Sequence, residues 1–414
     1  MNKHIDPIFV IDTDDYDSSR IIKKTYLSKT TGIEYEIMNL QKDADAVVDL
    51  ESDMNNAELI SHYRSVICRN GRVLAIGVPK GLEFEAFTEK YPIGVDSWDS
   101  PANIDVVNVD DLYINETVEG TMVNLFFDDD NQIWEIATKG AVGGNYWFFR
   151  TQYPSIGVDC MQLEFRQMFL EACGATVDVN EIPFLTVFNK KMIYSFVLQH
   201  PLNHIVGWNH IPTLYLVGVY FNQRNIVEYI SPTLYEKWDM FLNTPIRFPN
   251  RIRDFKGYHD LYKSVQSREF TSMGVMITHM QSGDRCRVDN MAYLEALNIR
   301  GNNPNLQYHY LKLLKTGGVL EFLQFFPGYS GIFHLFYEKY AEFVEGIYRA
   351  YVDRYILKIV GEVNRKYMPH IWRLHNQVYV PSLISGSRIV IRKEIVEKYV
   401  MGLEVKEILY YINR

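Results

Sequence analysis

The chain has 414 residues, 47 % of them apolar and 22 % charged, a balance that supports a hydrophobic core and suits two domains, or one large domain with an appendage. Its net charge of −9 argues against strong non-specific affinity for nucleic acid, although a locally basic groove remains compatible with it. The four cysteines, Cys68, Cys160, Cys173 and Cys286, are widely spaced and form no C-x-x-C pair. That speaks against zinc and for a reducing, intracellular and cytoplasmic setting.

At the N-terminus, residues 8–11 form a short apolar run, Asp12, Asp14, Asp15 and Asp17 an acidic patch, and residues 43–60 a predicted helix. The patch reads as a solvated loop rather than a cation site. No signal-peptide pattern opens the chain, and no apolar run approaches the ~20 residues of a membrane helix, so no membrane association is expected. Residues 63–149 read as strands. Asn70-Gly71 between two β-type runs marks a hairpin, and residues 122–127 and 133–138 flank a second with a longer loop. Residues 160–173 carry the apolar spacing of an amphipathic helix.

Residues 192–198 and 213–221 are again strand-like, and residues 273–278 and 285–288 flank a third hairpin. After about residue 290 the pattern turns helical, over 291–298, 305–316, 318–325, 332–360, 361–379 and 391–413. Pro327-Gly328 and Pro381-Ser382 punctuate it. The predicted fold class is α+β: antiparallel sheets packed with helices, then an all-helical C-terminal domain. The expected boundary is Thr316-Gly317-Gly318, giving domains 1–318 and 319–414, with strand-rich motifs in 63–290. The many aromatics (14 %, 29 of them tyrosines) fit core and interface positions, or stacking surfaces for bases.

Four segments stand out in order. They are Tyr63-Arg64-Ser65 with Gly77-Val78-Pro79-Lys80, Phe84 and Phe87; Glu116-Thr117-Val118-Glu119-Gly120-Thr121-Met122 with the hairpin running to Lys139; Tyr194 to Gln199 with Asn203-His204-Ile205-Val206; and Gly274-Val275-Met276-Ile277 with Arg285-Cys286-Arg287-Val288. Together they resemble the phage-type RNA ligase family, in the version found in large DNA viruses, over roughly residues 60–318. The resemblance implies a nucleotidyltransferase domain with a nucleotide cleft and a helical domain after it. It implies ATP and Mg²⁺ as cofactors of an active member, and nucleotide, RNA or a protein as partner. A viral source would place the chain in host cytoplasm.

In that family a lysine amine attacks the α-phosphate of ATP, so it must be deprotonated and in line. Carried over, Thr117 stands at the nucleophile position. Arg64 and Lys80 match basic pocket residues, Glu119 stands for the motif aspartate, Gly120 for its glycine, and Lys139 for a downstream lysine. Gln199 replaces the glutamate of the third motif, and Met273 the glutamate before Gly274. A Lys-x-Lys pair becomes Arg287-Val288-Asp289. The implied nucleotide-binding set is Arg64, Lys80, Glu119, Gly120, Lys139, Gln199 and Arg287.

Without the resemblance, Arg64 and Lys139 read equally as surface charges and Lys80 as a turn cap. Either the demand for the reaction is relaxed at the altered positions, or the match is displaced in places. Asn203, His204 and His210 lack a third ligand at useful spacing, so no metal site is assigned. Gly143-Gly144 is too short for a phosphate loop, and residues 300–308 read as a helix-to-helix turn. Two functions follow. One is a catalytically degenerate RNA ligase-like protein (a pseudoenzyme) that binds nucleotide, RNA or a protein and needs no cofactor for chemistry. The other is an active ATP-dependent RNA ligase or RNA nucleotidyltransferase whose nucleophile has moved to Lys80 or Lys139.

Overall fold

The computed structural model describes residues 8–41, 61–93, 107–148, 163–175, 177–359, 361 and 363–414. In chain order the first part contains β1 (Ile8–Val10), β2 (Ile21–Leu27), β3 (Glu34–Leu40), β4 (Val66–Arg69), β5 (Arg72–Ile76), α1 (Phe84–Lys90), β6 (Leu112–Glu116), β7 (Thr121–Asp128), β8 (Ile133–Thr138), β9 (Ala141–Val142) and α2 (Phe165–Ala172). There follow β10 (Met192–Gln199), β11 (Thr213–Gln223), β12 (Ile226–Ile230), α3 (Pro232–Tyr235), β13 (Ile246–Arg247), α4 (Tyr258–Gln266), β14 (Gly274–His279), β15 (Arg285–Asp289) and α5 (Met291–Arg300).

The largest sheet runs β1-β12-β11-β10-β7-β8-β9, with β13 pairing parallel to β11. A second runs β2-β3-β4-β5 and a third β15-β14-β6. Alternation of side chains gives the large sheet two apolar faces. Val123, Leu125, Phe127, Tyr194, Phe196 and Leu198 pack on one side with Phe165 and Phe169 of α2. Phe126, Ile193 and Tyr220 pack on the other with Tyr35, Ile37, Ile67 and Ala75 of the second sheet. The pairing of β10 with β11 slips between Ser195 and Phe196, where Gly218 and Leu216 are the successive partners and Val217 is the extra residue. This bulge reverses the phase of β11. Leu214, Leu216 and Val219 can then share one core, while Val217 and Tyr220 face the other side. The third sheet packs on α1 and α4 through Phe87, Tyr258 and Leu261.

One ion network is buried. Glu135 of β8 is fully buried, and the Arg166 guanidinium on α2 meets its carboxylate at 2.6 Å and that of Asp178 at 2.9 Å. Arg166 also donates to the Gly143 carbonyl, so the Gly143-Gly144 turn is tied to a helix. Burial raises the Glu135 pKa, and Arg166 opposes the rise.

The acidic patch closes on itself. Asp12 accepts the N–H groups of Asp14 and Asp15, and Asp17 takes both donors of Ser19. The helix expected at 43–60 lies outside the described residues. Before it, β2 and β3 are strands that the sequence reading missed. On the edge strand β2 the alternation is masked by exposed Lys24 and Thr25. Also unread were β6, β12, α1 and α4, short elements whose burial depends on partners distant in sequence. Asn70 and Gly71, at φ of 52° and 72°, form the tight turn expected between β4 and β5.

The chain divides into two compact units. One comprises residues 1–147 and 163–298, the other residues 148–162 and 299–414. The division falls near the end of α5, earlier than Thr316-Gly317-Gly318. The second unit contains α6 (Leu306–Thr316), α7 (Val319–Phe325), α8 (Ser330–Tyr351), α9 (Met368–Arg373), α10 (Val380–Ile384), α11 (Lys393–Gly402) and α12 (Val405–Ile412). Helix α6 belongs here because Tyr310 packs on Phe333 and Phe336 of α8. Asn305 caps α6 by accepting the Tyr308 N–H, and Gly317 ends it in the left-handed region. The fold is therefore α+β, with antiparallel sheets first and helices after. Among the described residues no strand lies beyond β15, and no helix is long and apolar enough to cross a membrane.

Replacing Arg166 by Met leaves Glu135 buried without its cation, a loss of about 3 kcal/mol at neutral pH. A carboxyl whose folded pKa is raised favours the fold only while protonated. The penalty should therefore shrink as pH falls toward the unfolded value of about 4.3. Denaturant titrations of both proteins at neutral and acidic pH test this.

Candidate nucleotide cavity

Strand β6 belongs to the third sheet and β7 to the large one. Residues 117–120 therefore cross from sheet to sheet, and a cavity of about 460 Å³ opens beside them. Three hairpins, β4–β5, β7–β8 and β14–β15, supply its charged walls. Arg64 precedes β4, Lys80 follows β5, Lys139 follows β8, and Arg285, Arg287 and Asp289 lie on β15. Tyr220, Val197 and Val217 form the apolar wall on the large sheet, with Met273 and Met276 opposite.

Backbone contacts fix this convergence. The Ser65 hydroxyl donates to the Lys139 carbonyl at 3.2 Å, which sets Arg64 and Lys139 side by side. The Leu82 N–H donates to the Arg285 carbonyl at 2.7 Å. A Cβ on Gly81 would lie 2.8 Å from that same carbonyl, so only glycine lets the Lys80 segment lie against β15. The Thr117 N–H donates to the Gly274 carbonyl at 2.9 Å. Gly120 has φ of 158°, and a Cβ there would lie 2.4 Å from the Leu198 carbonyl.

Arg64, Lys80, Thr117, Gly120, Lys139 and Arg287 thus line one cavity, with Lys80 and Lys139 exposed at its rim. Thr117 stands among them with its Oγ1 buried and, among the described residues, without a hydrogen-bond partner. Two residues expected in the nucleotide set are placed elsewhere. Glu119 is buried, and its carboxylate accepts the N–H groups of Ile205, Val206 and Gly207 at 2.9–3.2 Å. Its charge is consumed in fixing a loop. Gln199 donates to the Glu119 carbonyl at 2.9 Å and supports the same crossing.

The sequence reading missed Arg285. Arg285, Arg287 and Asp289 alternate along β15 and face one cavity. Arg285-x-Arg287 keeps a basic-x-basic spacing with both charges, which Arg287-x-Asp289 does not, and that signal was present in the sequence. Arg285 is partly buried, and its Nε is enclosed with no partner among the described residues. Burial lowers its pKa, the neighbouring Tyr220 raises it, and nearby Arg64 lowers it; the guanidinium remains charged. Arg287 instead forks onto Asp289, with contacts of 2.6 Å and 3.1 Å. Asp289 is therefore neutralised, and Arg287 is the cation whose charge is already matched. Tyr220 had no signal to separate it from the other tyrosines.

The cavity suits an anionic ligand. Arg64 and Arg285 present two close positive charges in a partly dehydrated recess, and Lys80 and Lys139 add two at the mouth. Three of its four carboxylates, all but Glu83, are engaged within the protein. Asp289 is bound by Arg287, Glu236 accepts the Tyr113 hydroxyl, and Glu116 accepts the Asn250 N–H. Gln199 and Met273 supply no carboxylate at the positions where the resemblance implies one. Among the described residues no three His, Cys, Asp or Glu side chains group as metal ligands. Asn203 donates to Thr121, and His204 contacts the Pro201 carbonyl.

No protein-family model matches the sequence, and no curated protein matches it. Solved structures that match include a Naegleria gruberi RNA ligase variant with AMP and Mn, at 11 % identity and a TM-score of 0.31, covering 44 % of this chain and 51 % of that one. A putative ATP-dependent DNA ligase from Aquifex aeolicus matches at 11 % identity and a TM-score of 0.41, covering 87 % and 85 %. An archaeal ATP-dependent RNA ligase matches at 11 % and 0.39, covering 91 % and 82 %. The chain thus spans about half the length of the Naegleria ligase it matches. These likenesses are distant.

Glu119→Gln tests the assigned placement. Loss of the carboxylate that three N–H groups share should cost about 1.5–3 kcal/mol of stability, measured by chemical denaturation. A ligand-contacting role would instead weaken nucleotide binding and leave stability unchanged.

Proposed function

We propose that the strand-rich unit is a nucleotide-binding relative of ATP-dependent RNA ligases that holds the phosphates of ATP without forming a lysyl-AMP intermediate. One observation carries the reading: the cations Arg64, Lys80, Lys139 and Arg285, brought in by three hairpins, converge on one cavity whose wall includes Thr117. Guanidinium groups meet phosphate oxygens in paired hydrogen bonds, and they gain strength where water is excluded. A threonine hydroxyl at the nucleophile position has no amine to form the phosphoramide, and covalent catalysis needs its nucleophile outright.

When bound, Mg²⁺ would screen the ligand's phosphates; this chain's arginines and lysines supply that charge in the reading advanced here. The adenine and ribose would lie between the apolar wall of Val197 and Val217 and Met276 opposite. The resemblance to versions in large DNA viruses makes a viral source and action in host cytoplasm part of the same proposal, with RNA or a protein partner as what the bound nucleotide serves.

A second reading has its own support. Lys80 and Lys139 both line the cavity and are exposed, so either is a relocated nucleophile within the same site. Equilibrium dialysis against ATP, followed by mass spectrometry of the intact protein, separates the two. The primary reading expects saturable binding and an unchanged mass. A gain of one AMP, abolished by Lys80→Ala or Lys139→Ala, would establish a working enzyme. Thr117→Lys alone should not create the adduct, because the carboxylates expected at Gln199 and Met273 are also missing.

A further inference from the structure

A second basic recess lies at the opposite end of the strands that build the nucleotide cavity. Met122 of β7 lines the cavity and Phe127 of the same strand lines the recess, a separation of roughly 17 Å at the rise of an extended chain. The recess has a volume of about 180 Å³ and is bordered by Arg69, Arg72, Lys190, Lys191 and Arg224. Asp129 and Asp130 line it too, so five cations face two carboxylates, and the recess stays locally positive on a chain that carries −9 as a whole.

Two of these cations are already matched: Arg69 meets buried Asp128 at 3.5 Å and Arg72 meets Asp130 at 3.9 Å. Lys190 lies 4.1 Å from the Phe127 ring centroid. Among the described residues, Lys191 and Arg224 have no carboxylate partner.

The recess is preorganised. The Asn225 side chain accepts the Val73 N–H and donates to the Gly71 carbonyl, which ties the β11–β12 turn to the β4–β5 turn. The Asn222 N–H donates to the Lys191 carbonyl at 2.8 Å. Arg224 itself has φ of 65°, a conformation that asparagine or glycine adopts with far less strain. An arginine is thus held in an unfavourable backbone state at the tip of a turn, with its charge unmatched.

We propose that this recess binds the phosphodiester backbone of a single-stranded nucleic acid, with Lys191 and Arg224 as the principal phosphate contacts. The choice of nucleic acid over an acidic peptide rests on the nucleotide reading of the neighbouring cavity. The recess is too small to enclose a base and sugar but accommodates a phosphate group, and forked guanidinium groups match phosphate oxygens.

The test uses the full chain with Lys191→Ala combined with Arg224→Asn. Asparagine suits the positive φ, so the variant should fold at least as well at that turn. The probe is a fluorescein-labelled oligouridylate, titrated between about 50 and 200 mM salt. The expected result is binding by the parent protein, at least about tenfold weaker binding by the variant, and a salt slope smaller by about 1.4, the value for two lost phosphate contacts on a single strand.

ATP binding, measured on the same samples, should be equal in the two proteins. Absence of RNA binding by the parent would overturn the proposal, as would unchanged affinity and slope in the variant. Equal displacement of the probe by an oligoglutamate of the same charge would overturn it in favour of an acidic peptide. Loss of RNA binding in the variant, with no ATP binding by either protein, would uphold this site and overturn only the nucleotide reading.

Discussion

Three consecutive N–H groups, those of Ile205, Val206 and Gly207, point at the carboxylate of Glu119, and the cavity depends on that contact. Glu119 sits where the chain leaves the third sheet and enters the large one. With its side chain turned inward, Thr117 and Gly120 are left on the cavity side. Gly120 presses on the Leu198 carbonyl more closely than any Cβ permits, so the crossing lies against β10. The two sheets therefore meet at a fixed gap, which Arg64, Lys80 and Lys139 reach from hairpin ends and Arg285 and Arg287 from along β15.

Charge is distributed unevenly within this space. Arg287 and Asp289 satisfy one another, which removes both from the balance presented to a ligand. Arg64 and Arg285 lie close enough to oppose one another, and burial adds to that cost. Like charges held together in a partly dry recess are unfavourable until an anion joins them. The acidic body of the protein disfavours polyanions at long range, so the anion binding proposed for the two basic recesses has to rest on local geometry. Screening by salt leaves such short-range contacts less affected than the long-range repulsion.

Much of the architecture was legible in the sequence. Asn70-Gly71 marked its hairpin because only a few residues adopt positive φ cheaply, and α2, β10, β11 and the C-terminal helices carried clear periodicity. The α+β order followed from these. Strand β2 was not legible, since a half-exposed edge strand lacks a strong alternation of its own. At the site, Arg64, Lys80, Lys139 and Arg287 were read from motif position and lie together. Glu119 and Gln199 were misplaced, because a motif gives the order of residues and not the side to which each points. Arg285 was passed over through a choice of register along β15, where every second residue faces the same way and the spacing alone fits twice. The phase reversal at Val217 could not be read at all, since a bulge leaves no compositional mark.

The central claim is that phosphate recognition by Arg64 and Arg285 defines the cavity. Isothermal titration calorimetry with ATP and with adenosine, on the parent protein and on Arg285→Gln, tests it most directly. The account predicts measurable binding of ATP, much weaker binding of adenosine, and roughly ten- to hundredfold weaker ATP binding in Arg285→Gln, the loss of about 1.5–3 kcal/mol expected for a charged hydrogen-bonding contact. Equal affinity for ATP and adenosine, or an Arg285→Gln variant that binds ATP as the parent does, would contradict it.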